Sequence, residues 1–188
     1  MLSRLRKHWL DILLLLFILF LLIPGVSLPF KAFLQRLLLT EPDVQLVDEK
    51  AITNYGWTFS KLDGTRVDFS QSKGKIVFLN FWATWCPPCL AELPSIERLY
   101  ADYGAQVDFY LVSAEDGEAV NRFVDKRPKS LPIYLNSQKA PATLEYTSLP
   151  TTFLIDKEGR VLLREEGAAQ WDRPVFRKLL DSLIAHSR

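Results

Sequence analysis

Phe81-Trp82-Ala83-Thr84-Trp85-Cys86-Pro87-Pro88-Cys89 is the stretch on which the reading of this chain turns. Just before it, Ile76-Val77-Phe78-Leu79-Asn80 is apolar on both alternating faces, which predicts a central strand over 76–82 covered on both sides. A helix is expected to follow from about Pro87 to Tyr103. Residues three apart on a helix lie about 5 Å apart at Cα, inside the roughly 4.4–6.8 Å window of a disulfide. Cys86 then falls at the helix N-terminus, where unpaired amides and the positive end of the dipole favour its thiolate. Pro87 suits the first helical position, where a missing N–H costs nothing. This makes Cys86 the expected nucleophile and Cys89, one turn inward, the resolving thiol. Two buried cysteines acting as small hydrophobes, or half of a zinc site, are the alternatives. A second half of a metal site is missing from the sequence: there are two cysteines in all, and the two histidines, His8 and His186, stand near opposite ends.

Outward from this stretch, strand and helix patterns alternate. Residues 57–60 and 66–69 flank Leu62-Asp63-Gly64-Thr65, a hairpin resting on Asp-Gly turn chemistry. Strands are expected at 107–112 and 133–135, a helix at 118–126 ended by Arg127-Pro128, and a short helical turn at 141–146. A second hairpin joins 152–155 to 160–164. A final amphipathic helix, 171–185, presents Val175, Phe176, Leu179, Leu180, Leu183 and Ile184 on one face.

The start of the chain is of another kind. Arg4, Arg6 and Lys7 precede an unbroken apolar run from Ile12 to Ile23, and Asp11 is the only charge between Trp9 and Phe30. A single N-terminal transmembrane helix over 1–28 is the expectation, with a cleaved signal peptide ending near Gly25-Val26-Ser27 as the alternative. The basic residues before the run place the rest of the chain outside the cytoplasm. Phe30, Phe33, Leu34, Leu37 and Leu38 suggest an amphipathic helix on the membrane surface, and 29–49 reads as this segment plus a linker around Pro42. The globular domain is expected over 50–188. A formal net charge of +1 argues against nucleic acid as a partner.

Taken with Glu92-Leu93-Pro94 and the later Leu149-Pro150-Thr151-Thr152-Phe153-Leu154-Ile155-Asp156, the cysteine run resembles the thioredoxin superfamily, most of all its membrane-anchored TlpA/ResA branch. The resemblance implies a thioredoxin-like α/β fold: a central mixed sheet flanked by helices, with an extra N-terminal hairpin. It also implies that Pro150 is cis beside the active-site disulfide and that Leu149 offers its backbone to a bound client. Trp85, next to Cys86, is the better candidate for a client contact than Trp82.

Asn80 stands where thioredoxins carry a buried aspartate, and an amide exchanges no proton. Glu92 shares a helix face with Cys89, matches a functional glutamate of the branch, and if partly buried would have a raised pKa suited to taking the Cys89 proton. Pro94 is expected to kink the helix. No cofactor beyond the Cys86–Cys89 disulfide is called for. The Pro-Pro pair supplies no N–H to the thiolate, which points to a reducing couple. The implied role is an extracytoplasmic reductase of protein disulfides, recharged by an integral-membrane donor of the DsbD/CcdA kind, with apocytochrome c thiols among the client classes. A disulfide oxidant with the same residues is the rival direction. A copper-binding thiol chaperone is the rival class, although Sco-type proteins use a wider cysteine spacing and a distal histidine.

Overall fold

The computed structural model describes residues 2–22, 31–35, 39, 51–126, 131–136 and 138–185. Among these residues seven strands form one mixed sheet in the order β2-β1-β5-β4-β3-β6-β7. They are β1 (Thr58–Lys61), β2 (Arg66–Asp68), β3 (Ile76–Phe81), β4 (Val107–Ser113), β5 (Ile133–Leu135), β6 (Thr151–Ile155) and β7 (Val161–Glu166). At the centre, β3 runs parallel to β4 and antiparallel to β6, and every residue of β3 is buried, as its two-sided apolar pattern predicts. The expected hairpins are β1–β2 and β6–β7, both antiparallel. Gly64 and Gly159 occupy their turns with positive φ, where a side chain would be strained.

The two faces are filled differently. On one, Phe78, Trp82, Ile96, Leu99, Trp171 and Phe176 belong to a core gathered under the helices α3 (Pro87–Tyr103), α4 (Gly117–Val124) and α5 (Pro174–Ala185). On the other, Trp57, Phe59, Phe69, Phe81, Tyr110 and Phe153 belong to an aromatic-rich core covered by 3-10 turns at Phe69–Ser72 and Ala142–Leu144. The helices expected to flank the sheet therefore gather on one face among the described residues. The turn at Ala142–Leu144 lies within the one expected over 141–146.

The last helix starts at Pro174, three residues later than the apolar pattern indicates, because Trp171 is drawn into the core ahead of it. Val175, assigned to its buried face, is 49% exposed. α3 continues through Pro94 rather than ending there. The expected stop of α4 at Arg127-Pro128 lies outside the described residues; the helix is already capped at Asp125.

At the N-terminus, α1 (Leu2–Leu22) is a helix, as expected. Within it the charge-free run from Ile12 to Leu22 rises only about 16 Å against a hydrocarbon core of about 30 Å. No helix among the described residues is long and apolar enough to cross a membrane. Residues 31–35 (α2) are helical, but Phe33 and Leu34 are exposed while Ala32 is buried in the helix-side core and Leu39 packs against it. Phe30, Leu37 and Leu38 of the expected amphipathic face lie outside the described residues.

Candidate active site

The sharp exit from β3 sets Cys86 as the N-cap of α3, with extended backbone at φ −93° and ψ 102°. Its Sγ is bonded to Cys89 Sγ, across a Cα–Cα distance of 5.3 Å. Pro87 and Pro88 occupy the first helical positions and donate nothing. The first available N–H is that of Cys89, which donates to Cys86 Sγ at 3.3 Å. Cys86 is 3% exposed and Cys89 is fully buried, so the outer sulfur is the one a client can reach.

The loop that delivers Cys86 is clamped from a distance. Glu115, just after β4, accepts from Thr84 N at 2.7 Å and from Ser113 Oγ at 3.0 Å through Oε2, and from Thr84 Oγ at 2.7 Å through Oε1. Nothing in local spacing links Thr84 to a residue 31 positions away, and the sequence reading missed this clamp.

Beneath the disulfide, Glu92 is completely buried rather than partly so, one turn beyond Cys89. Its Oε1 accepts from Asn80 Nδ2 at 2.8 Å, and its Oε2 accepts from Trp171 Nε1 at 2.9 Å and Ala169 N at 3.2 Å. Burial drives its pKa up; the N–H groups of Trp171, Asn80 and Ala169 pull it back, the Glu165 charge adds a small upward push, and the result is about 7. A carboxylate held there can accept a thiol proton near neutral pH. Asn80 is in turn held by Thr152 of β6, its Nδ2 donating to Thr152 Oγ at 2.8 Å. Trp171 was expected only as the start of a helix, so its role as a donor to Glu92 was also missed.

The Leu149–Pro150 bond is cis, as the resemblance implies. A groove of about 420 Å³ lies beside the disulfide, lined among others by Trp85, Cys86, Pro87, Pro88, Tyr146 and Leu149. Pro150 itself is buried. Trp85 is 61% exposed at the rim, whereas Trp82 is core. A wider cavity of about 730 Å³, beside Leu93, Pro94 and Phe123, contains neither cysteine.

Residues 42–180 match the family described as Redoxin. Over 104 residues the chain is 39% identical to the thiol-disulfide oxidoreductase ResA of Bacillus thuringiensis (strain Al Hakam), the match covering 54% of this chain and 60% of the relative. The chain thus matches less than two thirds of that relative's length. Among solved structures, a protein assigned as the thiol:disulfide interchange protein DsbE of Chlorobium tepidum superposes with a TM-score of 0.59 at 25% identity, over 76% of this chain and 99% of that one. The exposed lipoprotein thioredoxin Etrx1 of Streptococcus pneumoniae strain TIGR4 gives 0.55 at 26% identity, over 66% and 98%. With the cysteine pair and the buried glutamate both inside the matched residues, the chain belongs to the Redoxin family, on a thioredoxin-like fold and related to thiol–disulfide oxidoreductases of the ResA kind.

Proposed function

We propose that this protein is an extracytoplasmic thiol–disulfide oxidoreductase that reduces disulfides in other proteins with the Cys86/Cys89 dithiol. The observation that carries the reading is a closable cysteine pair at the start of α3 with a fully buried carboxylate of pKa about 7 one turn below it. In the reaction the Cys86 thiolate attacks one sulfur of the client disulfide, and the other client sulfur leaves as a thiolate. Glu92 takes the proton of Cys89 as that sulfur attacks Cys86 Sγ and frees the second client sulfur. The client gains two electrons and the protein closes the Cys86–Cys89 disulfide.

Direction follows from the helix start. Groups that stabilise the Cys86 thiolate favour the reduced protein and make the disulfide oxidising. With two prolines at the helix start, the donor to Cys86 Sγ among the described residues is the Cys89 N–H, which favours a reducing couple. Trp85, Leu149 and the backbone beside Pro150 would hold the client along the groove.

Eight consecutive apolar side chains, Ile12 to Leu19, are 49–67% exposed on α1 and packed against no core. This supports a lipid partner for α1, and Arg4, Arg6 and Lys7 ahead of the run support an extracytoplasmic domain. An integral-membrane donor of the DsbD/CcdA kind would return the protein to its dithiol form, with apocytochrome c thiols as one client class.

The reduction potential of the full chain in detergent, poised in graded thiol buffers and read by tryptophan fluorescence, tests the direction. A value near thioredoxin's, about −270 mV, supports a reductase. A value near −120 mV would make the protein an oxidant and overturn the argument from Pro87 and Pro88.

A further inference from the structure

One buried atom beside Glu92 has no partner among the described residues. Asn80 is fully buried, and its Nδ2 donates to both Glu92 Oε1 and Thr152 Oγ, yet its Oδ1 accepts nothing. Buried acceptors are nearly always paired, so an orphan at a reactive site points to a second state that uses it.

The two oxygens of Glu92 show what that state is. Oε2 already receives the N–H groups of Ala169 and Trp171, and a proton placed there would meet two donors. The proton gained in the reaction therefore belongs on Oε1, the oxygen that faces Asn80. An Oε1–H opposite an Nδ2–H sets two hydrogens face to face. A half-turn of the Asn80 amide exchanges O for N without changing its volume. Oδ1 then accepts from Glu92 Oε1–H and from Thr152 Oγ–H, and Nδ2 takes the unpaired position that Oδ1 held.

We propose that Asn80 is a positioning residue for the thiol–disulfide reaction, its buried amide turning over each time Glu92 gains or loses a proton. The carboxylate is held by Nδ2–H and the acid by Oδ1, so both forms of Glu92 keep a partner and the side chain stays aimed while its charge changes. This rests on the reading of Glu92 as the acceptor of the Cys89 proton. Among the described residues the ionisable group that acts on Glu92 is Glu165 on β7, while Cys89, one turn earlier on α3, is held in the disulfide. Thr152 is paired directly opposite both Asn80 and Glu165, which places the three in one rung across β3, β6 and β7. From the remaining side Glu92 meets Ala169 and Trp171, neither of which titrates.

The test is NMR on the oxidised full chain in detergent, labelled with ¹⁵N at asparagine and ¹³C at the glutamate carboxyl. Proximity signals between the Asn80 Nδ2 protons and Thr152 should be present above the Glu92 midpoint and lost below it. In Glu92→Gln, whose amide copies the acid by donating from the same place, they should be absent at every pH. If Glu92 titrates while those signals persist throughout, the amide does not turn and the proposal is wrong, although the role of Glu92 stands. If the Glu92 carboxyl does not titrate between about pH 5 and 9, the reading of Glu92 fails and the proposal falls with it.

Asn80→Leu gives an independent reading. A turning amide serves both forms, so its loss should change the Glu92 ionisation constant by less than about tenfold. A rise of the midpoint by more than one unit would show that Asn80 serves the carboxylate alone, which overturns the proposal.

Discussion

Asp156, closing β6, and Glu92, inside α3, are both withdrawn from solvent, at 3% and 0% exposure, but their surroundings differ in one respect. Asp156 accepts from Arg160 N at 2.8 Å and from the Arg160 guanidinium at 2.7 Å, so a cation locks it into the β6–β7 turn. Among the described residues Glu92 is held by three N–H groups and no cation. A buried carboxylate with a partner of opposite charge has a structural task. One held by neutral dipoles alone keeps a proton affinity near neutral pH and is free to exchange a proton. The same fold therefore builds a strut and a proton acceptor from the same functional group.

The largest effect expected separates the thiol region from the turn. Cys86→Ser should abolish turnover of a model protein disulfide, and Cys89→Ser should accumulate a mixed disulfide through Cys86, visible on non-reducing gels. Asp156→Asn should leave turnover within about twofold, since its partner Arg160 is 59% exposed and far from the chemistry.

Glu92→Gln should slow closure of the mixed disulfide by roughly 10²-fold at pH 7, as measured by quenched-flow trapping, the lower end of what a general base contributes. The same variant should alter stability with a definite sign. The folded value of about 7 lies above the ordinary 4.5, so the folded protein binds this proton more tightly than the unfolded chain. Wild-type stability is fully supported below pH 4.5, falls as the pH rises to 7, and is then lower by about 3 kcal/mol. Urea unfolding of the oxidised chain at pH 4.5 and 8 should show this loss in the wild type and not in Glu92→Gln.

Asp156→Ala should cost about 2 kcal/mol, by leaving the Arg160 N–H without its acceptor, with no change in the pH profile of turnover. If it shifted that profile, the contrast between the two carboxylates would be wrong. The smallest effect is at Trp85→Ala: unfolding free energy within about 0.5 kcal/mol of wild type, because the ring is mostly exposed, but a several-fold rise in KM.

Much of this was legible in the sequence for local reasons. The two-sided apolar strand, the cysteines three apart at a helix start and the Asp-Gly hairpin each follow from neighbours along the chain. The partners of Glu92 did not follow from such spacing. Thr152 lies 72 residues from Asn80, and Trp171 lies 79 from Glu92, and no periodicity spans such distances. The late start of α5 has the same origin: Trp171 donates to Glu92 and its backbone N–H to Ser95 Oγ, so an apolar residue that fits the helical pattern is committed to the core before the helix begins. The Asp156–Arg160 pair, four residues apart across a turn, was within local reach but offered no chemical signature to single it out.

The central claim is that a buried glutamate accepts the proton that lets Cys89 close the disulfide. It is tested most directly by the rate of mixed-disulfide resolution as a function of pH, for the wild type and Glu92→Gln side by side. The account predicts a wild-type rate that rises through an ionisation near pH 7 and a variant in which that step is gone, leaving only the dependence set by the Cys89 thiol itself. Superimposable profiles for the two proteins would contradict it.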